Sequence, residues 1–265
     1  MNKNEYIPFL SEIKEIKKHT DIEYTFTFDY DGPVRPGQFF EVSLPKYGEA
    51  PISVSGIGEG TIDFTIRKIG KVTGEEVFEQ YIGDRLFLRG PYGNGFDVSD
   101  FRGGELVIVA GGTGLSPVRG VIEHFYENPS ETSGLTVISG FKSPQDVLFK
   151  EDLARWPEQM KLIVTVDKAE GSCAYPEGLV TSYIPDLAVR DANTAKAIVV
   201  GPPIMMKFSV KALLDRGLKE ENIWISQERK MCCGIGKCGH CKIGDSYVCL
   251  DGPVFNYTKG KELID

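Results

Sequence analysis

Near residue 100 the hydrophobic pattern of this 265-residue chain changes its period, and that change restricts the fold more than any other feature. Before it, short segments rich in β-branched and aromatic residues run from Tyr24 to Tyr30, Gln38 to Leu44, Ile52 to Ser55, Thr61 to Arg67 and Arg85 to Leu88, separated by turn signals such as Asp31-Gly32-Pro33 and Arg35-Pro36-Gly37. Segments of this length and texture read as a small antiparallel barrel. One helix is expected to interrupt it at Thr73, where Thr73 and Glu76 have capping-box spacing ahead of Val77 and Phe78. From Phe101 apolar strands (Leu106 to Ala110, Leu135 to Ser139, Leu162 to Val166, Ala197 to Val200) alternate with amphipathic helices (Leu115 to Tyr126, Met205 to Arg216), which implies βαβ units on a parallel sheet. Trp224 and Ile225 read as the last strand, and after Ser226 regular patterning stops. The expected division is residues 1–100, 101–225 and a tail, 226–265.

The tail carries Cys233, Cys238, Cys241 and Cys249 in the spacing C-x4-C-x2-C-x7-C, threaded with Gly234, Gly236, Gly239 and Gly244. Thiolates are the ligands iron-sulfide units take, and the first three positions follow plant-type ferredoxin spacing. Glycines suit a loop wrapped around a cluster, because the backbone needs positive φ and N–H groups close to sulfur. Zinc is the main alternative, yet structural zinc sites show paired short C-x2-4-C units and only Cys238 and Cys241 form one. Disulfides fit less well, since Met1 to Leu10 has no charged n-region followed by an apolar run and the chain reads as cytoplasmic and reduced. Cys232 could replace Cys233 as a ligand with x5 spacing. Cys173 stands apart and reads as an ordinary small side chain.

Composition excludes some partners. A net charge of −8 and a pI near 5.1 argue against a broad nucleic-acid surface, and no apolar run approaches the roughly 20 residues that span a bilayer, so neither nucleic acid nor direct membrane insertion is expected.

Two segments of the second half have the character of nucleotide-binding turns. Leu106 to Ala110 runs straight into Gly111-Gly112-Thr113-Gly114-Leu115-Ser116-Pro117, a buried strand ending in a glycine turn that opens a helix, the geometry that holds a pyrophosphate on helix N–H groups. It departs from G-x-G-x-x-G, with Pro117 in place of the third glycine, and Phe141-Lys142-Ser143 follows the next strand where an acidic residue would stand. Gly201-Pro202-Pro203-Ile204-Met205-Met206 ends another strand, although a Pro-started helix alone would account for it. In the first half, Ala50-Pro51-Ile52-Ser53-Val54-Ser55 and Gly70-Lys71-Val72-Thr73 are the candidates for a flavin, Ser53 by hydrogen-bonding the isoalloxazine edge and the second segment by offering N–H groups to the diphosphate. A serine on a strand and a glycine before a helix also have ordinary structural uses. Gly90-Pro91-Tyr92-Gly93-Asn94-Gly95-Phe96 is a turn-rich loop that a cofactor could approach only by its position.

The order of barrel, GGTGLSP and GPPIMM in an α/β region, and a four-cysteine tail resembles the ferredoxin-NADP reductase superfamily, in its branch with a C-terminal [2Fe-2S] cluster. Within it, EVSLPKYGEAPISVS, GPPIMMKFSVKALLDRGL and MCCGIGKCGHCKIGDSYVCLDGPVFNY are most similar to the flavin-bearing electron-transfer subunits of anaerobic sulfite reductases, with the dihydroorotate dehydrogenase electron-transfer subunits as a sister group. The resemblance covers nearly the whole chain. It implies a β barrel plus α/β architecture: an N-terminal six-stranded antiparallel flavin-binding barrel, a parallel-sheet nucleotide-binding domain and a cysteine-rich iron-sulfur tail. It also implies FAD on Pro51, Ile52, Ser53 and Val54, with Ser53 beside flavin N5 as the catalytic position, and a [2Fe-2S] cluster on the four cysteines. NADH, with NADPH possible through Lys142 and Ser143, would lie on the α/β domain. The superfamily's flavin motif usually opens with an arginine for the FAD diphosphate; here Ala50 stands there, and Arg67, Lys68 or Lys71 could supply the charge. The implied activity is a relay that oxidises NADH and delivers single electrons to partner subunits, an iron-sulfur carrier and a sirohaem subunit that reduces sulfite. The same relay could serve dihydroorotate dehydrogenase, a hydrogenase or a transhydrogenase. A zinc-binding nucleotide sensor without catalysis is the alternative from another class.

Overall fold

The computed structural model describes residues 4–70, 72–74, 80–169, 171 and 173–263. Its contacts divide the chain into two compact units, one formed by the residues through Phe96 with Gln227–Val254, the other by Asp97–Ser226 with the residues from Phe255 onward.

In the first unit β1 (Phe9–Lys18), β2 (Glu23–Asp29), β3 (Phe39–Leu44), β4 (Gly48–Gly58), β5 (Thr61–Arg67) and β6 (Arg85–Tyr92) close a six-stranded barrel in the order β1-β2-β5-β4-β3-β6, all neighbours antiparallel. Alternation along each strand sends Phe26, Phe28, Phe40, Val42, Val54, Ile62, Phe64, Leu86 and Leu88 into one core, with the Phe40 and Phe64 rings edge to face at 5.4 Å. The residues between them, Glu41, Pro51, Ser53 and Arg89 among them, therefore face out of the barrel. β1 is the strand that the periodicity leaves unmarked. Its run of Glu12, Lys14, Glu15, Lys17 and Lys18 hides the apolar face, and a register shift between Ile13 and Glu15 breaks the alternation.

At Thr73 the Ile69–Thr73 bridge closes a turn, and the Thr73 hydroxyl donates to the Ile69 carbonyl. Lys71, Glu76, Val77 and Phe78, and with them the expected capped helix, lie outside the described residues.

The second unit is built on a sheet of β7 (Glu105–Gly111), β8 (Gly134–Phe141), β9 (Lys161–Val166), β10 (Lys196–Val200) and β11 (Ile223–Ser226), with α1 (Leu115–Glu127), α2 (Lys150–Arg155) and α3 (Pro203–Asp215) between strands. β7 pairs in parallel with β8 and β10, in register Ile108 to Val137 and Ile108 to Ile198. Val107 to Ala110 are buried, as expected of a central parallel strand covered on both faces. Among the described residues no helix is long and apolar enough to cross a membrane.

The tail is more regular than its sequence suggests. It holds a two-stranded ladder of β12 (Lys242–Ile243) and β13 (Ser246–Tyr247), then α4 (Val248–Asp251), β14 (Val254–Asn256) and α5 (Tyr257–Gly260). β14 adds a sixth strand beside β11, giving the order β14-β11-β10-β7-β8-β9. Elements of two to four residues complete at most one or two periods of either pattern, too few to show a repeat, so periodicity cannot reveal them.

Candidate functional site

The strand order reverses between β7 and β10, and their C-terminal ends carry the two glycine segments. Open parallel sheets bind ligands at such a switch point. The structure brings both segments together: a Cβ on Gly111 would lie 2.4 Å from the Met205 sulfur and 3.2 Å from Pro202, and one on Gly114 would lie 2.5 Å from the Val200 carbonyl oxygen. Gly201 is equally constrained, at φ 157° against Met205. Gly112, at φ 54°, faces open space instead. Thr113 is half-buried and the turn passes into α1 without a side-chain cap, leaving backbone N–H groups for an anion. Pro117 is buried in the first turn of α1, where it forfeits no helical hydrogen bond. Pro203 opens α3 as a Pro-started helix should. These contacts form a narrow backbone cradle suited to a phosphate.

In the barrel, Pro51, Ile52, Ser53 and Val54 all lie on β4. Ile52 and Val54 turn into the core, and Ser53 pairs across to Phe39 with its hydroxyl on the outer face. Arg67 ends β5 opposite Glu23, whose buried carboxylate lies 3.2 Å from Arg67 Nε, so its charge is already engaged. Gly70 (φ 78°) has open space where a side chain would stand, and Val72 is buried.

Cys233, Cys241 and Cys249 are buried and Cys238 is exposed. The four thiols belong to one loop, and Cys249 is flanked by both Cys241 and Cys233. Backbone N–H groups point at their sulfurs: Gly236 N to Cys249 Sγ at 3.2 Å, Lys237 N and Cys238 N to Cys233 Sγ at 3.3 and 3.4 Å, and Cys249 N to Cys241 Sγ at 3.5 Å. Positive φ at Gly234, Gly236 and Gly239 lets the chain turn those amides inward. Burial, with the neighbouring Cys241 thiol behind it, pushes Cys249 up to about 12. Such a buried thiol ionises only when a cation compensates its charge. Among the described residues no three metal-ligating side chains converge on one point. Four sulfur donors with backbone N–H groups aimed at them are a donor set that an iron-sulfur cluster takes. Cys232 is exposed, and the amides of the loop point at Cys233 instead.

One group of residues went unmarked in the sequence. Arg89 follows core residue Leu88, is only 3% exposed, and donates to Glu49 Oε2 (2.7 Å), Tyr92 Oη (2.9 Å), the Cys233 carbonyl (2.6 Å) and the Cys232 carbonyl (2.9 Å). Burial opposes its charge, but Glu49 and Tyr92 outweigh that and raise its pKa. Glu41, paired across the strands with Arg89 and Pro51, is fully buried and neither carboxylate oxygen has a hydrogen-bond partner. Burial raises its pKa to about 7 against the pull of Arg89. The loop from Gly90 to Phe96 anchors the tail: Asn94 N donates to the Gly252 carbonyl at 2.7 Å, and Asn94 Nδ2 to that of Val254 at 2.7 Å. The available signal was an arginine in an apolar strand beside a glycine-rich loop.

Comparison with known proteins agrees with this geometry. Residues 108–211 match the oxidoreductase NAD-binding domain, and residues 228–259 match the iron-sulfur cluster binding domain of dihydroorotate dehydrogenase B. The chain is 35% identical to the sulfhydrogenase 1 gamma subunit of Pyrococcus furiosus, over 97% of this chain and 93% of that protein. It is 36% identical to a probable dihydroorotate dehydrogenase B (NAD(+)) electron transfer subunit of Thermoplasma volcanium, over 96% and 90%. Among solved structures, the NADH-dependent reduced ferredoxin-NADP oxidoreductase shares the fold, with a TM-score of 0.79 and 24% identity over 97% of this chain and 90% of that one. The resemblance to reductases of this fold thus holds, whereas the finer likeness to sulfite reductases does not emerge from these relatives. The chain belongs to the oxidoreductase family of hydrogenase gamma subunits and dihydroorotate dehydrogenase B electron-transfer subunits, with an NAD-binding domain and an iron-sulfur cluster binding domain in one polypeptide.

Proposed function

We propose that this chain is the electron-input subunit of a larger oxidoreductase, taking electrons from NADH through FAD and handing them singly through a [2Fe-2S] cluster to a partner subunit. The single observation that carries the reading is the set of backbone N–H groups aimed at the sulfurs of Cys233, Cys241 and Cys249, in a loop whose four thiols, Cys238 included, would hold the cluster. When bound, the flavin accepts a hydride as an electron pair and the cluster carries one electron at a time. The chain's own residues do the holding. Ser53 offers a hydroxyl on the outer face of β4 to the flavin edge, and with Ala50 in place of an arginine, Gly70, Val72 and Thr73 are the described residues assigned to the diphosphate. Gly111, Gly112, Thr113 and Gly114 bring backbone N–H groups to the nicotinamide dinucleotide's pyrophosphate, with Gly201, Pro202 and Met205 shaping the opposite wall. The amides at Gly236, Lys237 and Cys238 stabilise thiolate charge.

The relatives' names favour a hydrogenase or a dihydroorotate dehydrogenase as the partner enzyme. A sulfite-reducing partner is the second reading, carried by the segments at residues 41–55, 201–218 and 231–257, and in either case the terminal reaction belongs to the partner. The test is oxygen-free purification with iron, sulfide, zinc and flavin analysis, then titration with NADH and NADPH and identification of co-purifying subunits. Cys238→Ser should abolish cluster absorbance and electron delivery to the partner while sparing flavin content and NADH-dependent dye reduction. Loss of dye reduction with flavin still bound would reverse the order of the relay.

A further inference from the structure

Arg89 makes an unusual set of contacts for a residue on a barrel strand. Nε and Nη2 grip the Glu49 carboxylate at 3.2 and 2.7 Å, while Nη1 and Nη2 reach the consecutive carbonyls of Cys233 and Cys232 at 2.6 and 2.9 Å. The rings of Tyr6 and Tyr92 flank it, with centroids 5.7 and 5.3 Å from the guanidinium carbon. Two successive peptide carbonyls turned toward one cation define the backbone direction at Cys233, the first ligand of the loop. On its other side, Tyr92 packs against the loop so closely that a Cβ on Gly234 would lie 2.8 Å from the ring. A guanidinium can hold both a carboxylate and two carbonyls because its donors form a rigid planar fork, which an ammonium lacks.

The charge balance has a direction as well. Arg89 is 3% exposed, whereas its partner Glu49 is 36% exposed and better screened by water. The positive charge is therefore the less compensated one on the side of the loop where Cys233 lies.

Resting on the assignment of the four thiols to an iron-sulfur cluster, we infer that Arg89 is a positioning residue that holds the Cys233 end of the cluster cradle in place before iron arrives and, as a buried cation beside that ligand, favours the reduced form of the cluster. Reduction adds one electron to the cluster, and a fixed positive charge nearby stabilises the added negative charge.

The experiment compares the full chain with its Arg89→Lys, Arg89→Met and Glu49→Gln variants, purified without oxygen. It reads iron and sulfide per chain, the cluster midpoint potential by redox titration, and amide hydrogen exchange at residues 232–238 after chelation of the iron. Arg89→Met should disfavour reduction about tenfold, equivalent to 59 mV for one electron. It should also speed exchange of the stripped loop about tenfold and lower iron retention. Arg89→Lys keeps the charge without the fork, so its potential should stay within threefold of the parent equilibrium while exchange rises. Glu49→Gln should move the potential the opposite way, toward easier reduction, a sign that a purely structural role does not produce and that remains readable if Arg89→Met does not fold. Unchanged potentials in Arg89→Met or Glu49→Gln, or unchanged exchange in both Arg89 variants, would overturn the inference. A parent chain without iron and sulfide would instead overturn the cluster assignment itself.

Discussion

The turn after β7 and the loop around the cysteines both bend on glycine, but for different reasons. At Gly111 and Gly114 a side chain would collide with Met205 or with the Val200 backbone, so the turn is shaped by packing against a sheet whose central residues Ile108, Val109 and Ala110 are completely buried. At Gly239 and Gly244 nothing lies within 4 Å of the place a methyl would take, and the requirement is the positive φ of 79° and 54°. The cysteine loop is held by N–H···S contacts and by Arg89, with the Tyr92 ring packed on Gly234, while its outer turn around Gly239 stays open. A site made by packing keeps its shape without a ligand. One made by polar tethers depends on its ligand and on each tether.

Removing the iron should break the symmetry between the two most visibly. Exchange of amides in residues 232–241 should accelerate by more than about a hundredfold while β7 and β10 stay protected; equal loss of protection in the strands would show that the cluster supports the whole chain.

Glycine substitutions sharpen the contrast. Gly114→Ala places a methyl 2.5 Å from a backbone oxygen at an ordinary helical φ of −62°, so the cost is steric, about 3 kcal/mol in thermal or denaturant unfolding, with weakened nucleotide binding. Gly239→Ala meets no neighbour and should cost about 1 kcal/mol from left-handed backbone alone.

Glu41 gives a pH dependence to the cysteine side. Unfolded, its carboxyl releases its proton near 4.5, and folded near 7, chiefly because it is buried. Between those values the folded state holds more protons, so stability should fall as pH rises through the window and level off above it, by about 3 kcal/mol in all. Glu41→Gln should flatten that slope in denaturation curves taken across the same window. The smallest expected effect is on α3, where the exposed Lys211 to Asp215 pair at 2.6 Å should lose about 0.3 kcal/mol in Lys211→Ala.

How far the fold could be read from the chain follows from the same contrast. The strands around Ile108, Ile138 and Val199 and the helix from Leu115 announce themselves through long apolar periods, and the thiols through spacing alone. Short elements such as Val254–Asn256 carry no period, and the charged β1 conceals one. Arg89 was illegible for another reason. Its partners Cys232 and Cys233 lie 143 and 144 residues away, and only the closed barrel brings them into reach. Ser53 is proposed from its position in a motif, whereas the engagement of Arg67 by Glu23 required the β2 to β5 register.

The placement of Val254–Asn256 at the margin of the sheet bears on how the protein is made. During synthesis β11 emerges before its neighbour β14, so its outer row of amides and carbonyls stays unsatisfied until about thirty further residues have left the ribosome. Throughout that interval the nascent chain presents an open strand to any other polypeptide nearby, and the arrival of three late residues closes it.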